Sequence, residues 1–129
     1  MEDRYLFKAK RLDNHDWILG FLSVHKTGKY FIRPIDGSAS SSEEVDKNTI
    51  CQCTGLKDKN GKLIWENDIV KGHRISFGSH RHIGKVKYIN GRYEIIGVKQ
   101  YAEFSDALSL SYEVIGNIFD NEELLESEV

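Results

Sequence analysis

The chain has 129 residues, 40% of them hydrophobic and 29% charged, with a formal net charge of −2. That length makes one domain or two small lobes sharing a core, and that balance excludes wholesale disorder. Near-neutral charge makes no global demand for a nucleic acid or a membrane, and no apolar run approaches the roughly 20 residues needed to cross a bilayer.

Two Trp, six Tyr and six Phe suit β-rich packing more than a helical bundle. The N-terminus, Met1-Glu2-Asp3-Arg4-Tyr5, starts acidic and lacks the apolar core of a signal peptide, so a cytoplasmic protein is expected. Residues 5–12 and 17–24 read as strands around Asp13-Asn14-His15-Asp16, a hairpin loop of Asx character. His25-Lys26-Thr27-Gly28-Lys29 is a second turn and residues 30–33 a third strand, ended by Pro34, which has no N–H for a ladder. Residues 36–44, rich in small polar side chains, form a mobile connection that buries too little to offset the entropy of ordering. Extended structure resumes over residues 45–53. Cys51 and Cys53, two apart on one strand face, read as small half-buried thiols, since a bridge between them would be strained.

The densest information lies in residues 54–70. Asp58, Asn60 and Gly61 are turn chemistry, Leu63-Ile64-Trp65 is a strand, and Glu66-Asn67-Asp68 turns the chain into another strand from Ile69. A long loop over residues 71–82 leads to a strand at 84–89. Asn90-Gly91, a strong two-residue hairpin signal, returns the chain along 92–98. Val86, Tyr88, Tyr93 and Ile95 alternate with period two, so one face of this hairpin should be core. Residues 104–110 read as one helical turn, 112–119 as a strand, and Asp120 or Asn121 as the cap of a terminal helix that packs Leu124 and Leu125 back. The whole is a mainly β chain. Residues 1–55 form an N-terminal β lobe packed on a small SH3-like barrel over 63–119, with a short helix and acidic tail over 120–129.

No nucleophile motif, phosphate-cradling glycine loop or zinc-ligand spacing is present, so no catalytic residue, metal or cofactor is expected. Glu66 and Asp68 are the nearest approach to a paired-carboxylate site, but both sit in a tight turn where carboxylates accept backbone N–H bonds. Charge is unevenly placed: residues 56–99 carry ten Lys and Arg against four acids, whereas 100–129 carry eight acids and no Lys or Arg. His73, Arg74, His80, Arg81, His82 and Lys85 are the candidate binding residues, because guanidinium forks match phosphate geometry. Trp17, Trp65, Tyr30 and Tyr88 are candidates for a stacking platform or peptide groove, against the commoner role of strand aromatics as core.

Val45-Asp46-Lys47-Asn48-Thr49-Ile50, Gln52, the whole of residues 54–70, Glu113-Val114-Ile115-Gly116-Asn117-Ile118-Phe119 and residues 121–125 resemble the YopX-like family of phage and prophage proteins. Phe7-Lys8-Ala9 and Trp17-Ile18-Leu19-Gly20-Phe21 match its opening strands. Cys51 and Cys53 stand where the family usually has Gly and an aromatic, Asn67 where Gly is usual, and Glu122 where Pro is common. The family has no known function, so the resemblance implies architecture and a phage or prophage origin, without an activity. The expectation is therefore a non-catalytic accessory protein that binds a protein partner or itself. The alternative is a nucleic-acid-binding module using the basic segment 71–92.

Overall fold

A computed structural model describes residues 2–35, 42–74, 81–98, 105–109 and 111–125. The protein is mainly β, built from two antiparallel sheets and short 3-10 turns. The chain divides into two compact units, Met1–Gly55 and Leu56–Val129.

The first sheet contains β1 (Phe7–Lys10), β2 (Trp17–Val24), β3 (Tyr30–Pro34), β4 (Glu43–Val45), β5 (Cys51–Lys57) and β6 (Leu63–Trp65), in the order β4-β3-β2-β1-β5-β6. Its hairpins follow from local turn chemistry. Asn14 Oδ1 accepts the Asp16 N–H at 2.9 Å, and His15 takes the left-handed conformation at φ 64°. The next turn closes with a 2.8 Å bond from His25 N–H to Lys29 O, with Gly28 at φ 89°. Strand β3 ends at Pro34, as its missing N–H requires.

The stretch read as continuous from 45 to 53 is broken by a 3-10 turn, Lys47–Thr49. There Asp46 accepts the Asn48 N–H at 2.9 Å, and Thr49 Oγ1 accepts the Lys10 N–H at 2.8 Å, tying the turn to β1. The mobile connection expected over 36–44 also needs correction at its end. Glu43 and Glu44 are strand, held by pairing to Ile32 and Phe31, while residues 36–41 lie outside those described. Ala9, Ile32 and Val45 form the core of this unit, with Phe7, Ile18, Leu22, Tyr30 and Ile50 packed against them.

The second sheet contains β7 (Asp68–Arg74), β8 (Arg81–Ile89), β9 (Arg92–Gly97), β10 (Ser105–Ala107) and β11 (Glu113–Asn117), in the order β10-β9-β8-β7-β11. This is a four-strand meander whose fifth strand returns beside the first, the strand order of an SH3-like barrel. Leu63–Trp65 is hydrogen-bonded at the end of the first sheet's strand order, while its Ile64 packs in the core of the second unit. The β8–β9 hairpin turns on Asn90 (φ 54°) and Gly91 (φ 85°), the two positive φ values a type I′ turn demands. Val86 and Ile95 pair across it and are fully buried. Tyr88 and Tyr93 pair further out, where Tyr88 is 56% exposed, so the alternating face is core only over its inner part.

Residues 104–110 hold no helical turn among those described. Ser105, Asp106 and Ala107 pair with Ile96, Ile95 and Glu94. Their intrinsic strand preference is poor, and the open edge of β9 overrides it. The terminal helix is a single 3-10 turn, Glu122–Leu125. The Asn121 side chain does not cap it but turns back to accept the Asn117 N–H at 3.1 Å. Ile64, Val70, Val86, Ile95 and Tyr112 form the core, with Tyr93, Leu108 and Val114 against it.

Candidate binding face

The turn residues are engaged in holding backbone. Asp58 is 6% exposed; its Oδ1 accepts the N–H groups of Asn60 (2.8 Å) and Lys62 (2.9 Å), and its Oδ2 accepts that of Val114 (2.9 Å). Burial pushes this carboxyl up, but those three donors and the Lys62 charge outweigh it and hold Asp58 below its ordinary value. Asn60 Nδ2 donates to Glu113 Oε2 at 2.9 Å, and Gly61 supplies φ 84°.

The next reversal is built the same way. Asn67 sits at φ 73°, donates its N–H to Val86 O (2.8 Å), accepts from Ile118 N–H (3.0 Å) and takes a hydrogen bond from Lys87 Nζ (2.8 Å) on its side chain. Asp68 Oδ2 accepts the Trp65 N–H at 2.8 Å. Asp68 is 3% exposed, whereas its neighbour Glu66 is half-buried. Asp68 thus holds backbone, the role a tight turn gives a carboxylate.

Of the basic segment's candidate residues, only His82 and Lys85 have described side chains. His80 lies outside the described residues, as do the side chains of His73, Arg74 and Arg81, whose backbone ends β7 and begins β8. His82 corrects the expectation of a contact residue, because it is 4% exposed and belongs to the core. Its Nδ1 lies 2.9 Å from the Tyr112 hydroxyl, which donates to Asp106 Oδ2 at 3.1 Å. Burial first, then the Asp106 charge and hydrogen bond, push the Tyr112 phenol up. Gly72 makes room for this ring: a β-carbon there would fall inside the van der Waals envelope of the Tyr112 aromatic carbons. Lys85 alternates with His82 and Val86 on β8 and so faces the other way, opposite Ile96 and Ile69.

The four aromatic candidates for a platform are each placed by their own unit. Trp65 is buried, Tyr30 packs on the first unit's core, and Tyr88 stands on the second unit's hairpin. Trp17, half-buried on β2, has a different set of neighbours. Trp17, Leu19 and Phe21 project from one side of β2, opposite Lys10, Lys8 and Arg33 respectively. Ser23 follows, opposite Phe31, which is itself opposite Glu44.

Leu19 is 38% and Phe21 40% exposed. The Lys8 and Lys10 ammonium groups stand 4.7 and 5.4 Å from the indole centroid of Trp17, and the His25 ring lies edge-on to Phe31 at 6.2 Å. Toward β5 the same face closes over Cys51 and Cys53. Aromatic and apolar side chains thus alternate with cations on the open part, over β1 to β3. The sequence signal was the Trp-x-Leu-x-Phe spacing, masked because Ile18 and Leu22 make the other parity equally apolar.

These features define a small, mainly β protein of two antiparallel sheets, with no described helix long and apolar enough to cross a membrane. Residues 23–126 match the family described as YopX protein, and the chain belongs to that family. It is similar in structure to protein EF1440 from Enterococcus faecalis, with 27% identity, 93% of this chain and 96% of that chain covered, and a TM-score of 0.53. A search of the curated proteins gave no match.

Proposed function

We propose that this protein is a non-catalytic binding module that works through the open face of β1 to β3. One observation carries the reading: Leu19 and Phe21 remain more than a third exposed on a sheet face where Trp17, Lys8, Lys10 and Arg33 stand beside them. The buried carboxylates Asp58 and Asp68 support the same reading, since they hold backbone N–H groups. A phage- or prophage-derived accessory role is supported by the family resemblance. A reducing, cytoplasmic setting is supported by Cys51 and Cys53, buried thiols outside any disulfide.

Affinity capture from lysogenic cells tests the proposal, comparing the wild type with a Leu19→Ser, Phe21→Ser variant, each with and without nuclease. Both positions are exposed, so the variant is expected to fold with unchanged circular dichroism and to lose the material the wild type retains. A variant that retains the full set would refute the proposal.

A further inference from the structure

We infer that the cleft at the start of β3 and the end of β4 is a binding site for a small zwitterion, an amino acid carrying its ammonium and carboxylate groups. The cleft has a volume of about 280 Å³ and lies wholly within the first unit. Sites for drug-sized ligands run from about 300 to 1,000 Å³, so its occupant is smaller than those. Tyr30 and Val45, paired across the two strands, supply an apolar wall, and Leu12 stands exposed at the rim.

Around these lie charges of both signs, Lys29 and Lys47 against Glu44 and Asp46. Among the described residues, the side chains of Lys29, Lys47 and Glu44 make no hydrogen bond or ion pair, with one another or with anything else. Asp46 uses Oδ1 to accept the Asn48 N–H at 2.9 Å and has Oδ2 left. The carboxylates of Asp58 and Asp68 differ, since backbone N–H groups occupy them. Charge selects the ligand. An anion alone would meet Glu44 and Asp46 as well as the lysines, and a cation alone would meet both ammonium groups, so in each case repulsion offsets attraction. A molecule with one group of each sign answers both pairs, and its side chain has Leu12, Tyr30 and Val45 to pack on.

The walls are held by backbone, so the cleft is formed before a ligand arrives. Leu12 N–H donates to Glu44 O at 3.2 Å and Asp46 N–H to Lys10 O at 2.8 Å, which with the Arg11–Val45 bridge ties β4 to the end of β1. On the other side His25 N–H donates to Lys29 O and Gly28 N–H to His25 O, each at 2.8 Å, fixing the turn that carries Lys29. A β-carbon at Gly28 would meet no atom within 4 Å, which leaves the mouth of the cleft unobstructed there.

Backbone amide shifts of the isotope-labelled protein, titrated with phenylalanine, leucine and glycine, test the inference. Millimolar affinity is expected of so small and open a site, with shifts concentrated at Gly28, Lys29, Lys47 and Asn48. Phenylalanine and leucine should bind more tightly than glycine, which offers nothing to the apolar wall. N-acetylphenylalanine lacks the ammonium group and phenylalaninamide the carboxylate; each should bind about three- to ten-fold more weakly than phenylalanine. Lys47→Glu and Glu44→Gln should each weaken phenylalanine binding by about the same factor. Neither side chain holds the fold, so the amide spectra away from the cleft should be unchanged. The inference is separate from the face of β1 to β3, and the Leu19→Ser, Phe21→Ser variant should bind phenylalanine as the wild type does. Either reading can therefore fail without the other.

Four results would overturn the inference. They are no shift at the cleft with about 10 mM of any of the three amino acids, full affinity for N-acetylphenylalanine or phenylalaninamide, wild-type binding by both Lys47→Glu and Glu44→Gln, or loss of binding in the Leu19→Ser, Phe21→Ser variant.

Discussion

Replacing Asp58 by Ala removes the acceptor of three backbone N–H groups, and the cost can be worked from where each donor sits. The Val114 N–H begins β11, 56 residues away in sequence, and its bond to Oδ2 is part-buried. A hydrogen bond to a charged group under those conditions is worth about 1.5–3 kcal/mol. The Asn60 and Lys62 N–H groups lie in an exposed turn where water can replace Oδ1, so each contributes less, about 0.5 kcal/mol. The expected loss for Asp58→Ala is about 3 kcal/mol, read by urea unfolding.

Asp58→Asn keeps a similar shape and removes the charge. Because the folded carboxyl is held below its ordinary value of 3.8, its contribution is present above that pH and is lost as pH falls through the lowered folded value. The wild type should therefore lose stability on acidification through and below pH 3.8, and Asp58→Asn should flatten that part of the profile. An Asp58→Ala protein within about 0.5 kcal/mol of wild type, or an Asp58→Asn protein with an unchanged acid limb, would refute the reasoning.

Three further substitutions or probes test other parts of the fold. Gly72→Ala forces a methyl into the fully buried Tyr112 ring and should destabilise by about 2–3 kcal/mol in urea unfolding; a neutral result would mean the ring has room to move. Asn67→Gly and Asn67→Ala both lose the bond from Lys87, so the difference between them isolates the φ of 73°, and Ala should be less stable than Gly by about 1 kcal/mol. Cys51 and Cys53, at 1% and 0% exposure, should resist a thiol reagent in native buffer and both react in denaturant; fast native labelling would contradict their burial.

Much of the local architecture was legible because turn chemistry is local. Asn14 with Asp16, Asp58 with Asn60, and the left-handed conformations of His15, Gly61, Asn67, Asn90 and Gly91 depend on residues within a few positions of one another. So the amino-acid order alone determined most of the chain's reversals, that most of its segments are extended, and that Cys51 and Cys53 share a face.

Pairing between distant segments was decided only by the tertiary structure. Ser105–Ala107 is a strand because β9 offers it an edge. Leu63–Trp65 belongs to the first sheet because β5, not β7, is its neighbour in the order. His82 is core because Gly72 admits the Tyr112 ring that receives it. The open face on β2 was invisible for the same reason: both parities of that strand are apolar, and which one is covered depends on segments far away in the chain. Local hydrogen bonds and φ preferences are written residue by residue, whereas burial is a property of what else arrives.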